Sequence, residues 1–269
     1  MADTRTAPGD TGPDTTPEAS SWYALYEFAL VTVLLFGVVS AVRLFVVPSS
    51  ALAVSGIHLA LAAVGAVVGV LAFLLIRSAW GRRSGAHMNP AVSVGLWLMG
   101  AFPGRCVLPY VVGQAAGSLA GTGLAALVWG APASDPPADY AVIQPAPGWG
   151  TTSVVVTEVG CLLLLTLVIG FFLANPTYNA WLPGVLAVLT AAIVAVLGPR
   201  SGGSTNPARQ FGPALLSGNH HYLVLYLLAP VVGAVLGAAA HRELVRRTRL
   251  RRPRTYRLCP LAAEAAEAL

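Results

Sequence analysis

Apolar residues in this chain run together instead of alternating with polar ones. Long apolar stretches occupy about Trp22–Val47, Ala51–Ile76, Val107–Trp129, Ser153–Ala174, Trp181–Leu197 and Tyr222–Val245. As α-helices rising ~1.5 Å per residue, each spans, or nearly spans, a hydrocarbon layer of ~30 Å. The pattern predicts an all-α integral membrane fold with six transmembrane helices. Asn175-Pro176, between the fourth and fifth runs, reads as a turn. Residues 1–20 are rich in Pro, Thr and Asp and lack the basic start and apolar centre of a secretory signal; they read as a disordered cytosolic tail. The membrane domain is then 21–246, followed by a basic tail, 247–269, that ends in an Ala- and Glu-rich stretch.

Two shorter segments break the six-span pattern. Ser84-Gly85-Ala86-His87-Met88-Asn89-Pro90-Ala91 lies between the second and third runs, and Gly202-Gly203-Ser204-Thr205-Asn206-Pro207-Ala208-Arg209 between the fifth and sixth. Asn is a good N-cap and Pro is favoured at the first helical position, so each Asn-Pro-Ala predicts a helix start. Roughly ten helix-compatible residues follow in each case, or ~15 Å, half a bilayer core. Each segment reads as a half-helix that enters the membrane and turns back. They follow spans two and five, on opposite sides of the membrane, which marks an inverted repeat of about 21–130 and 150–245. Glu27 and Glu158 occupy corresponding positions in spans one and four. A carboxyl inside a membrane needs a partner, and the backbone N–H groups leading into each half-helix are the natural ones.

Charge sets the expected orientation. Arg77, Arg82, Arg83 and Arg105 lie in the second link, and Arg242, Arg246, Arg247, Arg249, Arg251, Arg252, Arg254 and Arg257 follow or close the last span. The third link carries Asp135 and Asp139 instead. The positive-inside rule places the second link and both termini in the cytosol. The tail arginines are accounted for by topology, with anionic lipid or a partner as a second possible role.

Composition narrows the classes. Hydrophobic residues are 56% and charged residues 10% of the 269, and all sixteen basic residues are arginine. Disordered, collagenous and disulfide-scaffold chains are excluded, and no globular surface remains for nucleic acid. The mix of Ala, Gly, Val and Arg without lysine suggests a GC-rich genome and a bacterial-type plasma membrane. Cys106, Cys161 and Cys259 are dispersed without metal-ligand spacing, and the first two, in or beside apolar runs, read as packing residues. There is no nucleophile–base pair and no metal cluster, so neither catalysis nor a cofactor is expected.

The paired motifs carry a resemblance. Ser84–Trp97 (SGAHMNPAVSVGLW) and Ser204–Pro213 (STNPARQFGP), with Glu27, Gln114 and Glu158 in support, resemble the aquaporin or major intrinsic protein family across nearly the whole membrane part. The resemblance implies a passive pore in each subunit of a homotetramer embedded in lipid, carrying water and small neutral solutes. Opposed half-helix N-termini, each with roughly half a positive charge, would meet at the midplane and repel cations and protons. By position in the family, the pore motifs are Asn89, Pro90, Ala91, Asn206, Pro207 and Ala208. The acceptor carbonyls are those of Gly85, Ala86, His87, Gly202, Gly203 and Ser204, with His87 bracing its loop.

Counting back along the family pattern makes the selectivity filter Gly69, Val194, Gly203 and Arg209. Gly65 and Gly69 also form a small-xxx-small pair that alternatively serves helix packing. The four-residue set lacks the aromatics of water-selective relatives and of glycerol facilitators, and resembles wide nodulin-like channels for metalloid acids. The expected solutes are therefore glycerol-like polyols, urea or metalloid acids. A strictly water-selective channel is the alternative, and a coupled secondary transporter is the alternative of a different class.

Overall fold

A computed structural model describes residues 17–248 of the chain. Ten α-helices occur among them: α1 (Pro17–Phe45), α2 (Ile57–Arg77), α3 (Ala79–Ser84), α4 (Pro90–Leu98), α5 (Val107–Trp129), α6 (Ala131–Ser134), α7 (Thr151–Ala174), α8 (Leu182–Leu197), α9 (Pro207–Ser217) and α10 (Leu223–Thr248). Helices α1, α2, α5, α7, α8 and α10, with the 3₁₀ segments that lead into α5 and α8, form the six segments long and apolar enough to cross a membrane. Helix α1 begins at Pro17, inside the stretch expected to be a tail, and α10 runs on to Thr248. The rest of both predicted tails, including Cys259, lies outside the described residues.

The predicted half-helices are α4 and α9. Each starts where capping chemistry directs: Asn89 Oδ1 accepts from the N–H of Ala91 at 2.9 Å, and Asn206 Oδ1 from that of Ala208 at 2.9 Å. Pro90 and Pro207 then occupy a first-turn position with no amide hydrogen to satisfy. At the far end of α9, Gly218 takes φ 72°, a left-handed cap that stops the helix. Asn175-Pro176 is the predicted turn, realised as a 3₁₀ segment, Pro176–Trp181.

The inverted repeat is visible in the pairing of elements. Helix α1 packs along α5 and α7 along α10, while α2 and α8 join the halves. Helix α4 lies against α10 of the other half, and α9 against α5. Close approach depends on absent side chains: a Cβ at Gly117 would stand 2.5 Å from the carbonyl oxygen of Phe28. Gly233 meets Val159 of α7 in the same way. The outside of the bundle is apolar, with Leu127 84% and Val188 68% exposed. Such a surface belongs in lipid, where helices satisfy their own backbone.

Candidate functional site

The two half-helices meet by their capping residues. Each Asn uses its oxygen to cap its own helix and its amide to reach the other half. Asn89 Nδ2 donates to the carbonyl of Thr205 and Asn206 Nδ2 to the carbonyl of Met88, both at 2.8 Å. Each amide group has a second hydrogen beyond this bond. Both Asn residues line a cavity of about 570 Å³ that passes between the halves.

The chain leading into each half-helix is held in unusual backbone. Ala86, Met88 and Thr205 have φ of 48°, 48° and 47°, and Gly85, Gly202 and Gly203 are also left-handed. Such geometry costs a non-glycine residue about 1–2 kcal/mol and persists where the surroundings over-determine it. The buried carboxyls supply that constraint. Glu27 accepts from the N–H of His87 (3.1 Å) and Met88 (2.7 Å), from Ser84 Oγ (2.7 Å) and from Gln114 Nε2 (2.7 Å). Glu158 accepts from the N–H of Ser204 (3.1 Å) and Thr205 (2.6 Å), with Ser201 Oγ at 3.4 Å.

Further residues complete the brace, of which the sequence singled out His87 alone. Tyr110 Oη donates to the carbonyl of Ser84 at 2.8 Å, and Tyr226 Oη donates to that of Ser201. Ser118 Oγ donates to the carbonyl of Ala208 and accepts from the N–H of Gly212 at 2.8 Å, fastening α9 to α5. The His87 ring sits 4.6 Å from Phe102 and 5.0 Å from Tyr110, with Nδ1 2.9 Å from Ser93 Oγ. The similar spacing of Ser84 and Tyr110 (26 residues) and of Ser201 and Tyr226 (25 residues) was the available signal.

Arg209 stands one turn into α9 and lines the cavity. Its Nη1 donates to the carbonyl of Ala141 at 2.6 Å. Ala141 is the last of three consecutive left-handed residues, Asp139, Tyr140 and Ala141, with φ of 43°, 54° and 60°. The neighbouring Gln210 clamps the same connection: its Oε1 accepts from the N–H of Ile143 (2.9 Å) and its Nε2 donates to the carbonyl of Ile143 (3.0 Å). Sequence reasoning had no periodic signal for this contact. Burial raises the Asp139 carboxyl above its ordinary pKa.

The cavity wall has two characters. A polar stripe comprises residues 85–89, 203–206 and Arg209; most of the remainder is aliphatic, from Leu34 and Val38 on α1 to Ile193 and Val194 on α8. Gly85, Ala86, His87, Gly203 and Ser204 lie on the wall. Pro90, Ala91, Pro207 and Ala208 sit behind it, buried, as does Gln114. Gly202 is turned toward Ile143 and Tyr226.

Gly69 departs from its expected place in the filter. A Cβ there would meet the Ala187 carbonyl oxygen at 2.6 Å and the Ala191 Cβ at 3.0 Å, so this face of α2 packs on α8. The cavity-facing residues of α2 are Val64, Val68, Ala72, Ile76 and Arg77. The count from Asn89 assumed an unshifted register, whereas α2 ends at Arg77, Ser78 is extended (φ −62°, ψ 163°) and α3 follows. One residue turns a helix by about 100°, enough to exchange the wall for the packing face.

Six apolar spans around a lined passage, with two half-helices meeting end to end inside it, define a membrane channel. A family model described as major intrinsic protein matches residues 18–241. The probable aquaporin AqpM of Archaeoglobus fulgidus is 35% identical over 182 residues, covering 65% of this chain and 74% of that protein. The propanediol uptake facilitator PduF of Citrobacter freundii is 32% identical over 196 residues, covering 60% and 72%. The aquaglyceroporin of Plasmodium falciparum shares the fold, with a TM-score of 0.69 at 21% identity, covering 90% of this chain and 99% of that one. The chain belongs to the major intrinsic protein family, and is a passive membrane channel for water and small solutes, not an enzyme.

Proposed function

We propose that the channel is wide, passing glycerol-like polyols, urea or metalloid acids along with water, and that its filter is Val68, Val194, Gly203 and Arg209. The observation that carries this reading is that no Phe, Tyr or Trp lines the cavity among the described residues, while a fixed guanidinium does. An aliphatic wall opposite one donor suits a solute with a hydrocarbon side and a hydroxyl side. The relative named as a propanediol facilitator supports the same solute class. Asn89 and Asn206 hand the solute's oxygen across the centre, and the irregular segments 85–88 and 202–205 offer carbonyls on either side. Helix N-termini and Arg209 exclude cations.

In this reading the chain assembles as a homotetramer in the plasma membrane. The face bearing Arg77, Arg82, Arg83 and Arg105 is cytosolic, with both termini on that side. Reconstitution into liposomes followed by light scattering after osmotic shock tests the reading. Sucrose reports water, and glycerol, urea and boric acid report solute passage. Wild-type vesicles re-swell in all three solutes. Val68→Trp lowers solute passage by at least about tenfold, as expected when a small pocket is filled, and lowers water far less. Shrinkage in sucrose without re-swelling in any solute would make the channel water-selective instead.

A further inference from the structure

We propose that the cytosolic mouth of the channel binds a phosphate-type oxyanion between Arg77 and Arg82, and that the bound anion closes the mouth. The inference rests on the pore and orientation proposed above and adds a regulatory ligand to them.

Arg77 and Arg82 both lie on the cavity wall, beside Asn179, Ala180 and the first residues of α8. Their placement is built by the break after α2. Ser78 Oγ donates to the carbonyl of Leu75 at 2.7 Å and accepts from the N–H of Gly81 at 3.0 Å, folding α3 back across the end of α2. Arg82 Nη1 then donates to the Arg77 carbonyl at 2.6 Å, which ties the two arginines together. Its neighbour Arg83 is drawn the other way, with Nη1 3.1 Å from Tyr26 Oη and the guanidinium 5.8 Å from that ring. One of two adjacent arginines is thus set in the mouth while the other is engaged outside it.

Among the described residues, the pair in the mouth has no carboxylate partner. No Asp or Glu lines the cavity among the described residues. Glu27 and Glu158 are spent on backbone inside the bundle, and Glu243 bonds Arg246 (2.8 Å) and Arg247 (2.5 Å) on α10. Beside the arginines, the first turn of α8 carries no acidic residue, so it brings no carboxylate to the mouth. Two arginines lining one opening suit a phosphate group, whose oxygens Arg forks are well shaped to bind. Cation exclusion is already supplied by Arg209 and the half-helices, so these arginines are surplus to it.

Two sources share that chemistry, a free phosphate and an anionic lipid headgroup. The full chain is reconstituted in phosphatidylcholine vesicles, and osmotic permeability is compared in chloride and in inorganic phosphate at equal ionic strength. A second arm replaces part of the phosphatidylcholine with phosphatidic acid. Each protein is read as the ratio of its permeability with and without anion. Wild type and Arg83→Gln show a several-fold fall in at least one arm, and the Arg77→Gln/Arg82→Gln double variant shows a ratio of one. Closure in the phosphate arm assigns a soluble ligand, and closure only with phosphatidic acid assigns the lipid. A wild-type ratio of one in both arms, or an equal fall in the double variant, overturns the mouth site while leaving the pore intact. Absence of permeability in plain phosphatidylcholine would instead overturn the pore reading, and this inference with it. Binding of radiolabelled phosphate to the solubilised protein gives a readout independent of flux: loss of binding in the double variant supports the site, and undiminished binding refutes it.

Discussion

Glu27 accepts four hydrogen bonds and Glu158 three, and in each set two come from consecutive backbone N–H groups that cannot turn away. Replacing either carboxyl by an amide, Glu27→Gln or Glu158→Gln, puts a donor against one of these N–H groups. The expected loss is about 1–3 kcal/mol for each orphaned group, read as a lower midpoint of thermal unfolding in detergent. Because the loops they brace share the Asn89–Thr205 and Asn206–Met88 bonds, the double variant should lose less than the sum; an unchanged midpoint in both singles would show that the carboxyls do not hold the loops. Asp139 gives a second test. Its raised pKa means the carboxylate is disfavoured in the folded state, so its contribution is present below the unfolded pKa and is lost as pH rises through the folded one. Asp139→Asn should therefore raise the unfolding midpoint more at pH 7 than at pH 3. Asn also tolerates the left-handed φ of 43°, a benefit independent of pH, so a gain of equal size at both pH values would remove the electrostatic part. At this scale the sequence revealed whatever local chemistry announces. Asn89, Asn206, Glu27 and Glu158 were legible because a cap, or a carboxyl in an apolar run, has few alternatives. Tyr110 and Gln210 were not, since their partners are backbone groups distant in the chain.

The glycines show which helix faces must touch. On α5, Gly113, Gly117 and Gly121 face carbonyls of α1, and on α10, Gly233 and Gly237 face α7, so the same contact is made in both halves. Gly160 has nothing within 4 Å of an added Cβ. Gly117→Val should cost about 1–3 kcal/mol or more through overpacking and reduce the yield of folded protein on size exclusion, while Gly160→Val should fold as wild type. Equal behaviour of the two would show that the α1–α5 approach is not set by the missing side chain. The elements themselves were legible nearly to their ends, because apolar runs of this length have one solution in lipid and Asn-Pro fixes a helix start. Rotation of a helix about its axis was not. Which face of α2 meets the passage depends on α8, where Ala187 and Ala191 receive Gly69, and on the short α3 that interrupts the register.

As a whole, the molecule presents a passing particle with a field of one sign. Arg77, Arg82 and Arg209 line the cavity without a carboxylate among the described residues, and two half-helix N-termini add roughly half a charge each. Vesicles containing the channel should therefore hold an imposed proton or potassium gradient as long as empty vesicles do, followed with a pH-sensitive dye or a potassium electrode. Faster collapse that scales with protein content would contradict the exclusion. The reciprocal bonds at the centre have a further consequence, which lies in time. Met88 and Asn89 find their partners 118 and 116 residues further along the chain, in Asn206 and Thr205. At synthesis rates of about 5–20 residues per second, the first half waits roughly 6–24 s in the membrane before its counterpart has been made. During that wait the amide of Asn89 and the carbonyl of Met88 must be met by water or lipid headgroups, so the passage is the last part of the molecule to be finished, and neither half can finish it alone.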